Sequence, residues 1–415
     1  MRMNVLENDI VSPEVYAQPE LLHARYAHYR QHMPVAWVDM PGYRPFWALT
    51  RHADIMDVER QNSRFINEPR ITIVPKVVEE QTIAAMGKRT AAVRTLLDMD
   101  DPDHRQYRNV TQSWFLGPGV ASFQDRVDAI CKTWVDRMQE RGNQCDFATE
   151  IANFVPLAVI MSILGLPESE TGYVLRSTQQ IFAPNDPDLQ DQSNDHGQSA
   201  FVDFMAYLGR LVEQRRRTPT PDLASVIANG MVNAAPMALL ETLSYLMVTA
   251  TAGHETTASA LAGGLLVMLQ QPGALQKLQS DPGLWERSAA EEIVRWTTPI
   301  RHMMRTATED CVLRGQNIRA GDSLALMYLS ANRDEEVFPD PFVFDVERRN
   351  ARQIGFGFGA HFCLGRLLAL SEIRTFFKEL LGRVEHIELD GEPRFAQSNF
   401  VGTIKTLPIR YRLRA

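Results

Sequence analysis

Cysteine is scarce, with four in 415 residues (Cys131, Cys145, Cys311 and Cys363). So few thiols cannot build the disulfide framework of a small secreted scaffold, and the expectation is a reducing, cytoplasmic compartment. Basic charge is also short: 43 Lys and Arg stand against 51 Asp and Glu, for a formal net charge of −8. A nucleic-acid binder carries a basic surplus, so that class is disfavoured. No apolar run reaches the ~20 residues of a membrane-spanning helix. Residues 154–166 are interrupted by Pro156 and Gly165, and residues 238–270 carry Glu241, His254 and Glu255. The first thirteen residues include Glu7 and Asp9 and lack the apolar core of a secretion signal. Repeats, low-complexity tracts and Gly/Ser linkers are missing too. These absences predict a soluble protein with neither membrane nor nucleic acid as partner. They also predict one large domain over residues 1–415.

What remains is ordinary globular composition, 45% apolar and 23% charged. Most of the chain has helical periodicity. In residues 127–141 the apolar positions are Val127, Ile130, Cys131, Trp134, Val135 and Met138, and residues 201–214 behave alike. Residues 185–195, rich in aspartate around Pro187, predict a loop. Strand patterns are few: residues 35–38, 46–49, 324–329, 399–401 and 409–411. The fold class expected is mainly α with a small β region whose strands come from distant parts of the chain. Residues 238–269 predict a helix of about thirty residues, ~45 Å long at 1.5 Å per residue. It is apolar on most sides, hence buried. Yet its centre contains Thr249, Thr251, Gly253, His254, Glu255, Thr256 and Thr257. Buried polar groups cost ~1–3 kcal/mol each when unpaired, so this cluster needs partners or a purpose.

The sharpest local pattern is Phe356-Gly357-Phe358-Gly359-Ala360-His361-Phe362-Cys363-Leu364-Gly365-Arg366. A glycine-rich bend delivers one cysteine to the start of a helix expected over residues 364–381, where free N–H groups and the dipole favour a thiolate. Gly357, Gly359 and Gly365 clear side chains from around that sulfur, so a flat, bulky group can approach. A lone Gly-x-Cys would be read as a turn with a buried thiol; Phe, three glycines, His and Cys in this spacing within ten residues are harder to obtain by accident.

Phe-Gly-x-Gly-x-His-x-Cys-x-Gly at residues 356–365 resembles the haem-binding loop of the cytochrome P450 monooxygenases. Three further segments match in order: Ala252-Gly253-His254-Glu255-Thr256-Thr257 resembles the oxygen-activating segment of the family's long central helix, Glu292-Ile293-Val294-Arg295 its Glu-x-x-Arg pair, and His104-Arg105-Gln106-Tyr107-Arg108 its His-x-x-x-Arg. The resemblance implies the P450 fold, with haem (heme b, iron protoporphyrin IX) between the central helix and the Cys-ligand loop and helix. It implies Cys363 as the thiolate ligand of iron, a ligand type that favours O–O cleavage. His104, Arg108, Arg305 and His361 would hold the two propionates, as guanidinium forks suit carboxylates. Phe356, Gly365 and Ala252 would lie against the haem. Gly253 and Thr256 would open the central helix, because a threonine hydroxyl can capture a helical carbonyl, and Glu255 with Thr256 would relay protons to the oxygen site.

The same resemblance implies a pocket formed by Val248, Thr251, Ala252, Ile300, Met303 and Phe400, mostly apolar and suited to a terpenoid, an aromatic hydrocarbon or a steroid-like molecule. Met86, Met303 and Met304 would give it a pliable wall, and residues 66–90 and 182–198 would set selectivity. Arg301 and His302 are unexpected beside such a pocket and could face the propionates. Glu292 and Arg295 with Arg348 resemble a buried structural triad. No flavin or dinucleotide fingerprint is present, so the two electrons would come from an iron–sulfur ferredoxin served by a ferredoxin reductase, to a monomer. Arg348, Arg349, Arg352 and Arg366 offer a basic face for it.

Other readings of these residues are weaker. His254-Glu255-Thr256-Thr257 begins like the zinc helix His-Glu-x-x-His, but position 258 is alanine. Cys131, Cys145 and Cys311 have no ligand spacing, and Cys363 as a nucleophile has no evident base. A haem sensor or electron carrier needs no acid–alcohol pair, and a peroxide-using haem-thiolate enzyme generally lacks one.

Overall fold

Leucine, isoleucine and valine crowd the Phe154–Leu164 helix so densely that eight of its eleven residues are buried. It ends on Gly165 in the left-handed region at φ 68°, where a β-carbon would collide with the carboxylate of Asp222. This helix lies in the main hydrophobic core together with the Gln124–Arg141, Glu255–Gln270 and Arg366–Arg383 helices. The computed structural model describes residues 9–86, 93–182, 198–349 and 352–414. Among the described residues no single helix is long and apolar enough to cross a membrane.

The β region is smaller. A five-stranded sheet runs in the order Val35–Val38, Phe46–Leu49, Ser323–Leu326, Met303–Ala307, Phe65–Ile66. Only the pairing of Phe46–Leu49 with Ser323–Leu326 is parallel. Its two faces carry two smaller cores, one around Tyr16, Tyr26 and Met304, the other around Leu49, Phe65 and Tyr328. The last strand, Pro408–Leu413, lies between Val384–Leu389 and Gln144–Asp146.

The expected helices and first two strands are found, and four expectations need correction. The single central helix is two, Leu239–Ala252 and Glu255–Gln270, separated at Gly253 and His254. The helix after Cys363 begins at Arg366, because Leu364 and Gly365 form the turn that enters it. The strand expected over 324–329 stops at Leu326 and gives way to the short Tyr328–Ala331 helix. Residues 399–401 are not a strand: Asn399 spends its amide on Val11 O at 2.9 Å and its carbonyl on the His302 ring at 3.0 Å, leaving one isolated bridge between Val401 and Ile300. The loop expected over 185–195 lies outside the described residues.

Candidate active site

At the break in the central helix pair, Gly253 N–H reaches Thr249 O at 3.3 Å and His254 N–H reaches Thr251 O at 3.4 Å, the latter a tighter-turn contact. Thr256 donates its hydroxyl to Ala252 O at 3.0 Å, the capture expected of a threonine four residues on. A β-carbon at Gly253 would meet Ile160 Cγ1 at 2.9 Å, so the helix comes as close to its neighbour as glycine permits. Ala252 is exposed although Thr251 and His254 beside it are buried. Its helical neighbours at i±4 and i−3, namely Val248, Thr256 and Thr249, are half-buried on the same side.

The thiol comes from a separate glycine-rich loop. Gly357 and Gly359 sit at φ 68° and 71°, and a β-carbon at Gly359 would overlap the Glu59 carbonyl oxygen. The loop closes with Cys363 N–H donating to Phe356 O at 2.9 Å, and the Arg366 guanidinium lies over the Phe356 ring. Gly365 is the N-cap residue of the helix that follows. Burial pushes the Cys363 thiol up, while the backbone N–H groups of Gly365 and Arg366 and the charge of Arg108 act in the opposite sense. Cys363 is nonetheless exposed, in contrast to the other three cysteines, all buried. The Cys363 thiol is thus accessible, although the protein around it disfavours its charged form.

Near this thiol, four donors expected for propionates come together. His104 and His361 stack with ring centroids 3.8 Å apart. Burial holds His104 down at about 4, helped by Arg108, and His361 at about 2, helped by His104 and Arg305. Both imidazoles are therefore neutral near pH 7. Arg108 donates to Phe362 O at 2.7 Å. Arg305 donates to Glu59 Oε1 at 3.0 Å, and Tyr328 O–H donates to the same oxygen at 2.5 Å, while Glu59 Oε2 is buried with no hydrogen-bond partner. Asn67 Nδ2 meets His361 Nε2 at 3.0 Å. An accessible thiol, an exposed alanine on the kinked helix and a cluster of guanidinium and imidazole groups fit the haem that the motifs imply. Glu59 and Asn67 were not legible as part of this cluster, because each is separated from its partner by more than two hundred residues of chain.

The pocket residues divide. Val248, Ile300, Met303 and Phe400 are half-buried, with Ile300 and Phe400 side by side through the Val401 bridge and the Arg301 N–H to Phe400 O bond. Thr251 is buried, and its hydroxyl turns back to Met247 O at 2.8 Å. Helical spacing from Ala252 places Thr249 on the open side instead, which corrects Thr251. Met304 is buried in the sheet core rather than half-exposed, and the side chain of Met86 lies outside the described residues. Residues 66–86 are described and 87–90 are not; of 182–198, only the backbone at the two ends is.

Neither Arg301 nor His302 joins the propionate donors. Arg301 folds back to Thr297 O at 2.8 Å and lies so flat on Gly402 that a β-carbon there would overlap its guanidinium. His302 accepts from Ile73 N–H and donates to Asn399 O, both at 3.0 Å, pinning two loops together. Glu292 and Arg295 are paired at 2.7 Å with neither side chain exposed, and Arg348 reaches Glu292 at 3.4 Å. Arg348 is spent in this way and on Pro339 O, and Arg366 pairs with Glu291. Of the expected basic face, Arg349 and Arg352 are exposed. Among the described residues no group of three or more His, Cys, Asp or Glu could hold a metal ion.

The family model for Cytochrome P450 matches residues 287–412. Over 412 residues the chain is 36% identical to Cytochrome P450-terp of a Pseudomonas species, covering 97% of this chain and 96% of that one. It is 32% identical to linalool 8-monooxygenase of Pseudomonas putida, covering 97% and 98%. The crystal structure of CYP108D1 from Novosphingobium aromaticivorans superposes with a TM-score of 0.90 at 37% identity, covering 97% of each chain.

Proposed function

The chain belongs to the cytochrome P450 family and is a monooxygenase, and from that premise we propose that it hydroxylates a terpenoid-like small molecule with electrons from an iron–sulfur ferredoxin. Relatives named for linalool and for P450-terp support the terpenoid class. The half-buried apolar residues Val248, Ile300, Met303 and Phe400 support it from this chain's own side. The observation that carries the reading is the kink: Thr256 takes the Ala252 carbonyl out of the helix ladder beside an exposed alanine.

The residues would act as follows. Cys363 would ligate iron as a thiolate, with the Gly365 and Arg366 N–H groups spreading its charge. His104, Arg108, Arg305 and His361 would hold the propionates of heme b, with Phe356 and Gly365 on the thiolate side and Ala252 on the other. When bound, thiolate-ligated haem supplies dioxygen activation. Gly253 leaves room beside the Ile160 side chain for the distorted turn. Thr256 would present its hydroxyl to the oxygen site, and Glu255, 8% exposed, would pass it protons. Val248, Thr249, Ile300, Met303 and Phe400 would exclude water and hold the hydrocarbon. Arg349 and Arg352 would belong to the ferredoxin-facing surface.

The test begins with the reduced protein under carbon monoxide: the red-shifted haem-thiolate band is expected, and its absence would overturn the assignment of Cys363. Thr256→Ala should keep that band while diverting electrons from product to peroxide, with product falling by ~10²-fold or more. Unchanged coupling would remove Thr256 from the relay.

A further inference from the structure

A buried acid lies among the proposed propionate donors. Glu59 belongs to the His52–Arg60 helix, and its side chain is 1% exposed. Its Oε1 accepts from both Arg305 and Tyr328, which come from the Met303–Ala307 strand and the start of the Tyr328–Ala331 helix. Burial pushes the Glu59 carboxyl up, while Arg305 and Tyr328 act in the opposite sense. Tyr328 is itself pushed well above its ordinary value by burial and by Glu59, so it stays a donor. The end of the same helix is set against the loop that carries Cys363. A β-carbon at Gly357 would lie 3.8 Å from Glu59 Oε1, and the Arg60 guanidinium lies over the Phe358 ring.

A guanidinium has five N–H donors. Arg305 commits one to Met304 O at 2.8 Å and one to Glu59 Oε1 at 3.0 Å, which leaves donors for a second carboxylate. Asp100 also faces Arg305, but its oxygens take the N–H groups of Asn67 and Glu68 at 2.8 and 3.1 Å. Glu59 is thus the acid in direct contact, and a buried guanidinium needs one. With both propionates of haem in place, Glu59 becomes a third carboxylate for two guanidiniums, Arg108 and Arg305, because His104 and His361 are neutral. Negative charge beside the haem opposes the arrival of an electron. We propose that Glu59 is a positioning residue for the haem: it steadies Arg305 for a propionate and, by its charge, keeps the reduction potential of the iron low. The proposal rests on the reading of Arg305 as a propionate donor, and it adds a control of electron entry that this reading does not contain.

The test measures the ferric–ferrous potential of the substrate-free holoenzyme at neutral pH by spectroelectrochemistry. Glu59→Gln keeps an oxygen acceptor and removes the charge. It should move the reduction equilibrium about tenfold toward the ferrous form, ~59 mV upward for one electron, with the haem-thiolate band in place. Glu59→Asp keeps the charge on a shorter arm and should leave the potential close to that of wild type. If Glu59→Gln retains haem at an unmoved potential, the proposal fails. If the Gln and Asp variants shift the potential alike, Glu59 acts by shape alone and the proposal fails too. Should Glu59→Gln lose its haem, the Asp variant decides: haem held at near wild-type potential supports the role of charge, and haem lost from both overturns it. Arg305→Gln separates this proposal from the reading beneath it. Removing that positive charge should move the equilibrium toward the ferric form and speed the transfer of haem to apomyoglobin. If neither changes, Arg305 holds no propionate and both readings fall. If Arg305→Gln acts and Glu59→Gln does not, only the role of Glu59 falls.

Discussion

Replacing Glu292 by alanine should cost this protein several kcal/mol without touching any reacting group. The Glu292 and Arg295 side chains are wholly buried, joined by two bonds of 2.7 and 2.8 Å, and Glu292 also accepts from Asp345 N–H at 3.0 Å. Removing one partner of a buried pair leaves an uncompensated charge and costs ~3–5 kcal/mol. Part of that is offset, since Arg295 keeps Asn332 O at 2.8 Å and Pro341 O at 3.0 Å and lies near the faces of Trp296 and Phe338. The stranded Asp345 N–H adds ~1 kcal/mol. A net loss of ~4 kcal/mol is a large share of the ~5–15 kcal/mol that holds a domain together. At an unfolding entropy of ~2.1 cal/mol/K per residue, 415 residues give an entropy near ~0.9 kcal/mol/K. The melting temperature should therefore fall by ~4–5 °C. Thermal melts and urea titrations of wild type and Glu292→Ala, followed by far-UV circular dichroism, read this directly. Glu292→Gln, which keeps an acceptor for Asp345, should lose less. A fall under ~1 °C for the alanine variant would mean that Arg295 finds full compensation in carbonyls and rings, and would refute the reasoning.

Three further outcomes follow from other contacts. His302 is fully buried with one nitrogen accepting and the other donating, and burial holds it down at about 4. The unfolded chain, titrating near ~6.5, binds the proton first. Stability is thus complete above ~6.5 and falls as pH drops toward about 4, a slope that urea titrations at stepped pH should find reduced in His302→Gln. Gly359→Ala must accommodate φ 71° and an overlap with the Glu59 carbonyl, so the loop should shift and the haem-thiolate band weaken while overall helicity stays, as absorption and circular dichroism on one sample would show. Thr249→Val should alter the ferric spectral response to added terpenes and Thr251→Val should not, because only Thr249 lies on the open side with Ala252; the reverse result would restore Thr251 to the pocket.

The parts legible in the sequence are those whose physics is local. Three glycines around one cysteine, within eleven residues, express both a left-handed bend and a need for space, and the bend appears with φ 68° and 71° at Gly357 and Gly359. Thr256 and Gly253 are likewise a local instruction, since a hydroxyl four residues after a carbonyl can capture it. Even so, the apolar periodicity of residues 238–269 suggested one continuous helix. Periodicity reports which faces are buried and is blind to one displaced hydrogen bond. The less legible parts depend on chain segments meeting across the fold. Glu59 reaches Arg305 and Gly359 from the other end of the sequence, and nothing in His52–Arg60 marks its one glutamate as buried. Residues 399–401 have β-prone character, yet Asn399 binds Val11 and His302 rather than a neighbouring strand, so side-chain demand overrode the ladder. The sequence suits Arg348 both to the triad and to a basic surface, and the structure shows its donors turned to Glu292 and Pro339, which favours the first. A charged residue has one set of donors, and where other contacts claim them the proposed docking role passes to its exposed neighbours, here Arg349 and Arg352.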